Sequence, residues 1–293
     1  MAADRWLQLL LNGPQETSAL ASALREKQAE RDAERRSQLV SLGAPPQAKA
    51  PAALVYHRHS GLSPTFWPEM SPEELRGFDR ALAFKEYSGA PRVALPRDRS
   101  RQLSPLREAI ASRRTVAGFG SRTLTLVELA ELMGLAFGVT GETDGLPRRA
   151  YPSAGSCYPI EIYLVPFQVE DLEPSLYHYR VPEHSLELLR SFEEISAGLE
   201  ASLPAGLRRA QPAALLVLTI GFERAFAKYQ ERGYRFALLE AGHMVQNILL
   251  VGTAMGLGTT SVGGFFDDPM NRMLGLDEES ECAVYGALVG AKA

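Results

Sequence analysis

Cysteine is scarce in this chain: among 293 residues only Cys157 and Cys282 carry a thiol. They stand far apart and lack the repeated Cys/His spacing of a zinc site, so neither a disulfide framework nor a structural metal is expected, and a reducing cytoplasm fits. A strong excess of one charge sign is also missing. With a formal net charge of -4 and a pI near 5.8, the chain has no basic footprint for a phosphate backbone, and no nucleic-acid partner is expected. Long uninterrupted apolar runs are absent too. Leu7 to Leu11 is too short for the core of a signal peptide and follows the early acid Asp4. Ala237 to Leu257 is interrupted by Glu240, His243, Gln246 and Asn247 at helical spacings, which predicts a buried amphipathic helix and not a membrane span. Finally, there is no Gly-x-Gly-x-x-Gly after a strand, no Walker loop and no internal repeat, which argues against dinucleotide-binding and P-loop architectures.

What is present is ordinary globular composition, 45% hydrophobic and 23% charged, enough for one large domain with an appendage. Residues 1–50 read as a charged helical extension and linker. Over 15–40, Arg25, Glu26, Lys27, Glu30, Arg31, Asp32, Glu34, Arg35 and Arg36 mix both signs around sparse apolar positions, the pattern of a solvated helix. Gly43-Ala44-Pro45-Pro46 through Pro51 then breaks the helix. Residues 51–293 form the main domain, with its first regular segment near Leu54. Helices are predicted near 71–85, 104–113, 125–137, 191–202 and 233–256, and strands at Ile160–Phe167, Leu176–Arg180, Leu186–Leu189, Ala213–Ile220 and Cys282–Val289. Helices and strands mix without strict alternation, so an α+β layered sandwich is expected.

Four segments invite chemistry. Ser112-Arg113-Arg114-Thr115 couples a fork of guanidinium donors to a hydroxyl, which suits a phosphate monoester, although paired surface arginines are common. Tyr151-Pro152-Ser153-Ala154-Gly155-Ser156-Cys157-Tyr158-Pro159 frames small residues between prolines before a strand; it reads equally as a tight loop or as a cradle for a flat ligand. Lys228-Tyr229 could act as an acid/base pair if desolvated, although most such lysines are merely exposed. Ser261-Val262-Gly263-Gly264 pairs two glycines after a short strand, suiting close backbone approach to a ligand or simple turn punctuation. His243, on the polar stripe with Glu240 and Asn247, reads as a helix-packing residue.

In this order the segments resemble the nitroreductase superfamily, and the strings Pro-Ser-Ala-Gly-x-x-Tyr-Pro-Ile-Glu (152–161), Leu-Tyr-His-Tyr (176–179), Lys-Tyr-x-x-Arg-Gly-Tyr-Arg (228–235) and Gly-His-x-x-Gln-Asn (242–247) resemble its SagB-type azoline dehydrogenases. The resemblance runs from about residue 100 to the end. It implies a three-layer sandwich with a central mixed sheet flanked by helices, assembled as an intertwined homodimer that binds FMN. It further implies that Arg113 and Thr115 hold the phosphate and ribityl chain, aided by Arg114 or Lys292, and that Ser153, Ala154 and Ser156 come from the other subunit. Gly263 and Gly264 would border the isoalloxazine ring, and Lys228 and Tyr229 would handle protons. The chain departs from the pattern at Ala117, where many relatives carry a second basic residue, and at Gly263, where true nitroreductases commonly carry an acid. Its length is also expected to leave no room for the winged-helix leader-binding domain of some peptide-tailoring relatives.

The implied reaction is oxidation of a thiazoline or oxazoline in a peptide or carrier-protein-bound intermediate, with dioxygen as acceptor; a biosynthetic partner protein is a further expected partner, and the route of substrate delivery is left open. The competing readings are an NAD(P)H-driven nitro- or quinone reductase on the same scaffold, and a flavin-free scaffold whose 15–40 helix docks a partner.

Overall fold

The longest apolar segments of the sequence meet in one antiparallel sheet. In the computed structural model, the described residues are Tyr56, 85–97, 105–143 and 146–293, and all but Tyr56 belong to a compact unit within Met70–Ala293. The expected 15–40 helix and 43–51 linker, and nearly all of the 71–85 helix, lie outside them. The sheet has seven strands: β1 (Arg92–Ala94), β4 (Ile160–Pro166), β5 (Ser175–Arg180), β6 (Ser185–Ser191), β7 (Ala214–Gly221), β8 (Leu257–Val262) and β9 (Glu281–Ala291), in the order β1-β6-β5-β4-β7-β9-β8. A separate hairpin pairs β2 (Val139–Thr143) with β3 (Leu146–Arg149). Among the described residues every pairing in the large sheet is antiparallel, where a mixed sheet was expected. Strand direction is set by tertiary pairing, which apolar runs do not encode. Parallel contacts among the described residues are isolated bridges, Thr115 with Thr259 and Leu124 with Val169.

Helices complete three layers. On one face lie α1 (Leu106–Ser112), α2 (Leu126–Phe137) and α6 (Arg232–Ala254), where Leu129, Met133 and Phe137 of α2 and Ala241, Met244 and Ile248 of α6 join Ile160, Ile162, Leu216, Leu218 and Val289 in the main core. Opposite them lie α3 (Phe192–Ser202) and α7 (Asp267–Leu274). A short α4 (Ala205–Arg208) precedes β7, and α5 (Phe222–Tyr229) follows it. α2 and α3 begin at Thr125 and Ser191, whose hydroxyls accept from the backbone of Glu128 and Glu194 while those carboxylates return a bond, a reciprocal box that fixes each first turn. No helix among the described residues is long and apolar enough to cross a membrane.

The polar stripe of α6 divides between inside and outside. Glu240 and Asn247 face inward, Asn247 donating to the carbonyls of Ala136 and Ala150 at 3.1 Å each, while His243 is exposed on the single chain. At 3.6 residues per turn, positions seven apart nearly align, whereas position 243 is rotated about 60° from 240, away from the buried arc.

Candidate functional site

Strand direction gathers the chemical segments at one end of the sheet. The start of β4, the end of β7, the start of β9 and the end of β8 lie together, because Ile160 pairs with Ile220, Gly221 with Glu281 and Val262 with Gly286. The loop 151–159, helix α5 with its exit at 230–231 and the Gly263-Gly264 step therefore leave from the same rim.

The 153–156 turn and Lys228-Tyr229 are in contact. Gly155 has φ 61° and ψ 15°, a left-handed conformation that favours glycine, and a β carbon there would stand 2.8 Å from Tyr229 Oη and 3.0 Å from Lys228 Nζ. Ser153 Oγ accepts from the Tyr158 backbone N–H at 2.8 Å, while Ser156, also left-handed, receives Arg148 Nη1 at 2.6 Å; Ala154 is half-buried between them. Lys228 and Tyr229 are the last residues of α5 and are half-buried, with Lys228 Nζ 5.6 Å from the centre of the Tyr229 ring and that ring edge-on to Phe236. Partial burial pushes the Tyr229 hydroxyl above its usual range. The α5–α6 corner is tight, since a β carbon on Gly233 would collide with the Ala225 carbonyl oxygen.

α5 is anchored by a buried polar chain whose members were given no role from the sequence. Arg224 bonds Glu161, Glu161 Oε2 meets His178 Nε2 at 2.8 Å, and His178 Nδ1 meets Glu187 Oε2 at 2.9 Å, all four residues being buried. Burial alone would raise the Glu161 carboxyl, but the Arg224 guanidinium and the His178 bond outweigh it and hold it below the usual carboxylate range. Burial likewise opposes charge on His178, and its bonds to Glu161 and Glu187 win, raising its proton affinity. Glu161 and His178 fall inside the strings 152–161 and 176–179 that carry the resemblance. The available signal was an acid in a strand buried at every position, since buried charges are kept only with partners.

The other candidates collect along the β8–β9 edge. Arg113 ends α1 and is half-buried; Arg114 is exposed, its Nη1 donating to the carbonyls of Ala111 and Arg113 at 3.1 and 2.8 Å, so it also closes the helix. Exposed Thr115 bridges Thr259, and exposed Lys292 bridges Phe119. Gly263 and Gly264 are exposed, and no atom stands within 4 Å of a β carbon built on Gly264. Strand β9 separates this edge from β7, about 10 Å for two strand spacings. The single chain thus presents a turn-plus-pair centre and a cationic edge as two groups. Among the described residues no cluster of His, Cys, Asp and Glu is placed to hold a metal ion.

Residues 110–290 match the Nitroreductase family. The chain is 34% identical over 173 residues to a protein of Methanocaldococcus jannaschii named as a nitroreductase, covering 59% of this chain and 85% of that one. It is 36% identical over 162 residues to the microcin B17-processing protein McbC of Escherichia coli, covering 54% of this chain and only 58% of that relative's length. The fold also matches a chain in the E. coli microcin synthetase McbBCD complex with truncated pro-MccB17 bound, with a TM-score of 0.54, 24% identity, and coverage of 87% and 97%. The family match spans more than half of the chain and agrees with the three-layer architecture, so this protein belongs to the nitroreductase family.

Proposed function

We propose that the chain is an FMN-dependent dehydrogenase, acting in the cytoplasm as a homodimer, that oxidises a thiazoline or oxazoline in a peptide or carrier-bound intermediate to the aromatic azole. The observation that carries this reading is the packing of the Gly155 turn directly on Lys228 and Tyr229, which joins the strings 152–161 and 228–235 into one centre.

The donor set fits a flavin mononucleotide. Arg113, Thr115 and Lys292 offer two cations and a hydroxyl along one sheet edge, suited to a phosphate, and the open backbone at Gly263-Gly264 admits a planar ring. Bound FMN would supply the two-electron acceptor, with dioxygen restoring it. Lys228 or Tyr229 removes the proton from one ring carbon, and their half-buried position limits competition from water. The Ser153–Ser156 turn sets where the substrate ring can stand relative to that pair. The relative named for microcin B17 processing supports a peptide substrate, and the McbBCD complex supports delivery by a partner protein.

Single-turnover reduction of the flavin by an azoline peptide tests the reading. Wild type is expected to bleach, and Lys228→Ala and Tyr229→Phe to slow by roughly 100-fold or more for whichever is the base; normal reduction in both removes the assigned roles. The likeness to the M. jannaschii protein favours a second reading, an NAD(P)H-driven reductase. Rapid bleaching by NAD(P)H with no response to azolines would select it.

A further inference from the structure

The inward face of α5 carries both the Lys228-Tyr229 pair and its anchor. Arg224 and Ala225 are buried and Lys228 and Tyr229 half-buried, while Glu223, Phe226 and Ala227 face out. Arg224 and Lys228 are four residues apart, so they stand about 6 Å apart along the helix axis and about 40° around it. One stretch of chain meets both. Gly155 packs against Lys228 and Tyr229, and Glu161, at the start of β4, bonds Arg224.

The Arg224 bond is confined on every side. The guanidinium folds back across Gly221, where a β carbon would stand 3.3 Å from Arg224 Nη2, and the Gly221 N–H donates to the Pro159 carbonyl at 2.9 Å. Ile160 and Ile162 point into the main core, so Glu161 lies on the opposite face of the sheet, where His178 and then Glu187 follow it. The Tyr87 and Tyr163 rings flank the imidazole, their centres 5.2 and 5.4 Å from its own. Both ring nitrogens of His178 face carboxylate oxygens, at 2.8 and 2.9 Å. Ionised carboxylates only accept, so both nitrogens donate and the ring is a cation. Burial opposes that charge, and the two bonds outweigh it. With Oε2 of Glu161 held by the imidazolium, Oε1 is the oxygen turned to Arg224.

We propose that Arg224 is a positioning residue for Lys228 and Tyr229: its bond to the Glu161–His178 chain fixes the roll of α5 about its own axis and so sets the pair against the 153–156 turn. A roll of about 10° carries an atom about 5 Å from the axis through roughly 0.9 Å. Displacements of that size are costly at a reacting group. Ala225, the neighbouring inward residue, has no polar side-chain atom with which to set the roll. The catalytic consequence rests on the assignment of proton chemistry to the pair, but the hold on α5 is measurable without turnover.

Amide hydrogen exchange in the flavin-loaded full chain reads that hold directly. Arg224→Gln is expected to speed exchange over Phe226 to Gln230 by roughly 10- to 100-fold relative to α2. Thr125→Ala, which loosens the start of α2, is the control and is expected to speed exchange in α2 and leave α5 unchanged. In flavin reduction by an azoline peptide, Arg224→Gln is expected to lower kcat by roughly 10- to 100-fold with KM within about twofold, and Thr125→Ala to leave both unchanged. Arg224→Lys returns a cation to Glu161 and is expected to lie between wild type and Arg224→Gln in both measurements; if it alone folds, its α5 exchange must still exceed that of wild type. Exchange in α5 that rises no more than in α2 overturns the proposal, as does a normal kcat in Arg224→Gln where Lys228→Ala or Tyr229→Phe is slow. If both of those variants reduce flavin normally while α5 exchange still rises in Arg224→Gln, the catalytic assignment fails and the hold on α5 stands.

Discussion

Replacing Gly155 by alanine tests whether the turn and the pair form one mechanical unit. Two costs arise. The residue sits at φ 61°, where an L side chain costs about 1–2 kcal/mol, and its new β carbon would be 2.8 Å from Tyr229 Oη and 2.9 Å from Lys228 Cδ. Ordinary contact requires those atoms to retreat by roughly 0.6 Å or the turn to lift by as much. Gly89 supplies the matched control, because it has φ 80° with nothing within 4 Å of its β carbon, so Gly89→Ala carries the backbone strain without the collision. Both variants are expected to melt about 2–8 °C lower by circular dichroism. Only Gly155→Ala is expected to lose flavin-reduction rate, by roughly 10- to 100-fold, since displacements approaching an ångström in a reacting group cost about that much. Equal rates in the two variants would refute the idea that the turn positions the pair.

His178→Leu strips the bridge between Glu161 and Glu187 and is expected to cost about 3–5 kcal/mol in urea unfolding, as for removal of one partner from a buried ion pair. The wild-type chain should also lose stability on both sides of a pH window. His178, with its raised affinity, contributes fully below about 6.5 and progressively less as pH rises through its folded value. Glu161, with its lowered value, contributes above about 4.5 and less as pH falls through its folded value. Glu240 runs opposite to Glu161: its folded value near 7 makes ionisation a cost that grows between about 4.5 and 7, so Glu240→Gln is expected to flatten that part of the urea-midpoint curve. Thr125→Ala removes the box at the start of α2 and is expected to cost about 1 kcal/mol by the same measurement.

The long elements were legible because each buries a continuous face. The 213–220 run, read as buried on both faces, became β7, and 233–256 became α6, with ends shifted by one or two residues. The hairpin β2–β3 was not foreseen, and β2 is exposed at every position, so burial imposed no alternation to read. α5 and α7, eight residues each, were also missed. For α7 the signals existed: two aspartates in the first turn, a proline just inside, and Gly275 left-handed past the end. In the candidate site, the segments around 153 and 228 could be named from composition, but their contact joins residues some seventy positions apart. That contact depends on the pairing of β4 with β7, which propensity does not specify. The Glu161–His178 bond is similar, requiring two strands to bring an acid and an imidazole to the same face.

The strand at the end of the sheet has a colloidal consequence. β8 would present an open ladder of backbone groups, yet Val116 donates to the Thr259 carbonyl at 3.3 Å and Thr260 Oγ1 donates to the Val116 carbonyl at 2.5 Å, so the stretch that follows Arg113 lies along that rim as a short false strand. An uncovered rim of this kind is a template on which another chain can add. The stretch that carries Arg113 and Thr115 toward a phosphate therefore also keeps molecules from sticking to one another. Any change that peels 113–117 away should be seen first as turbidity in the tube.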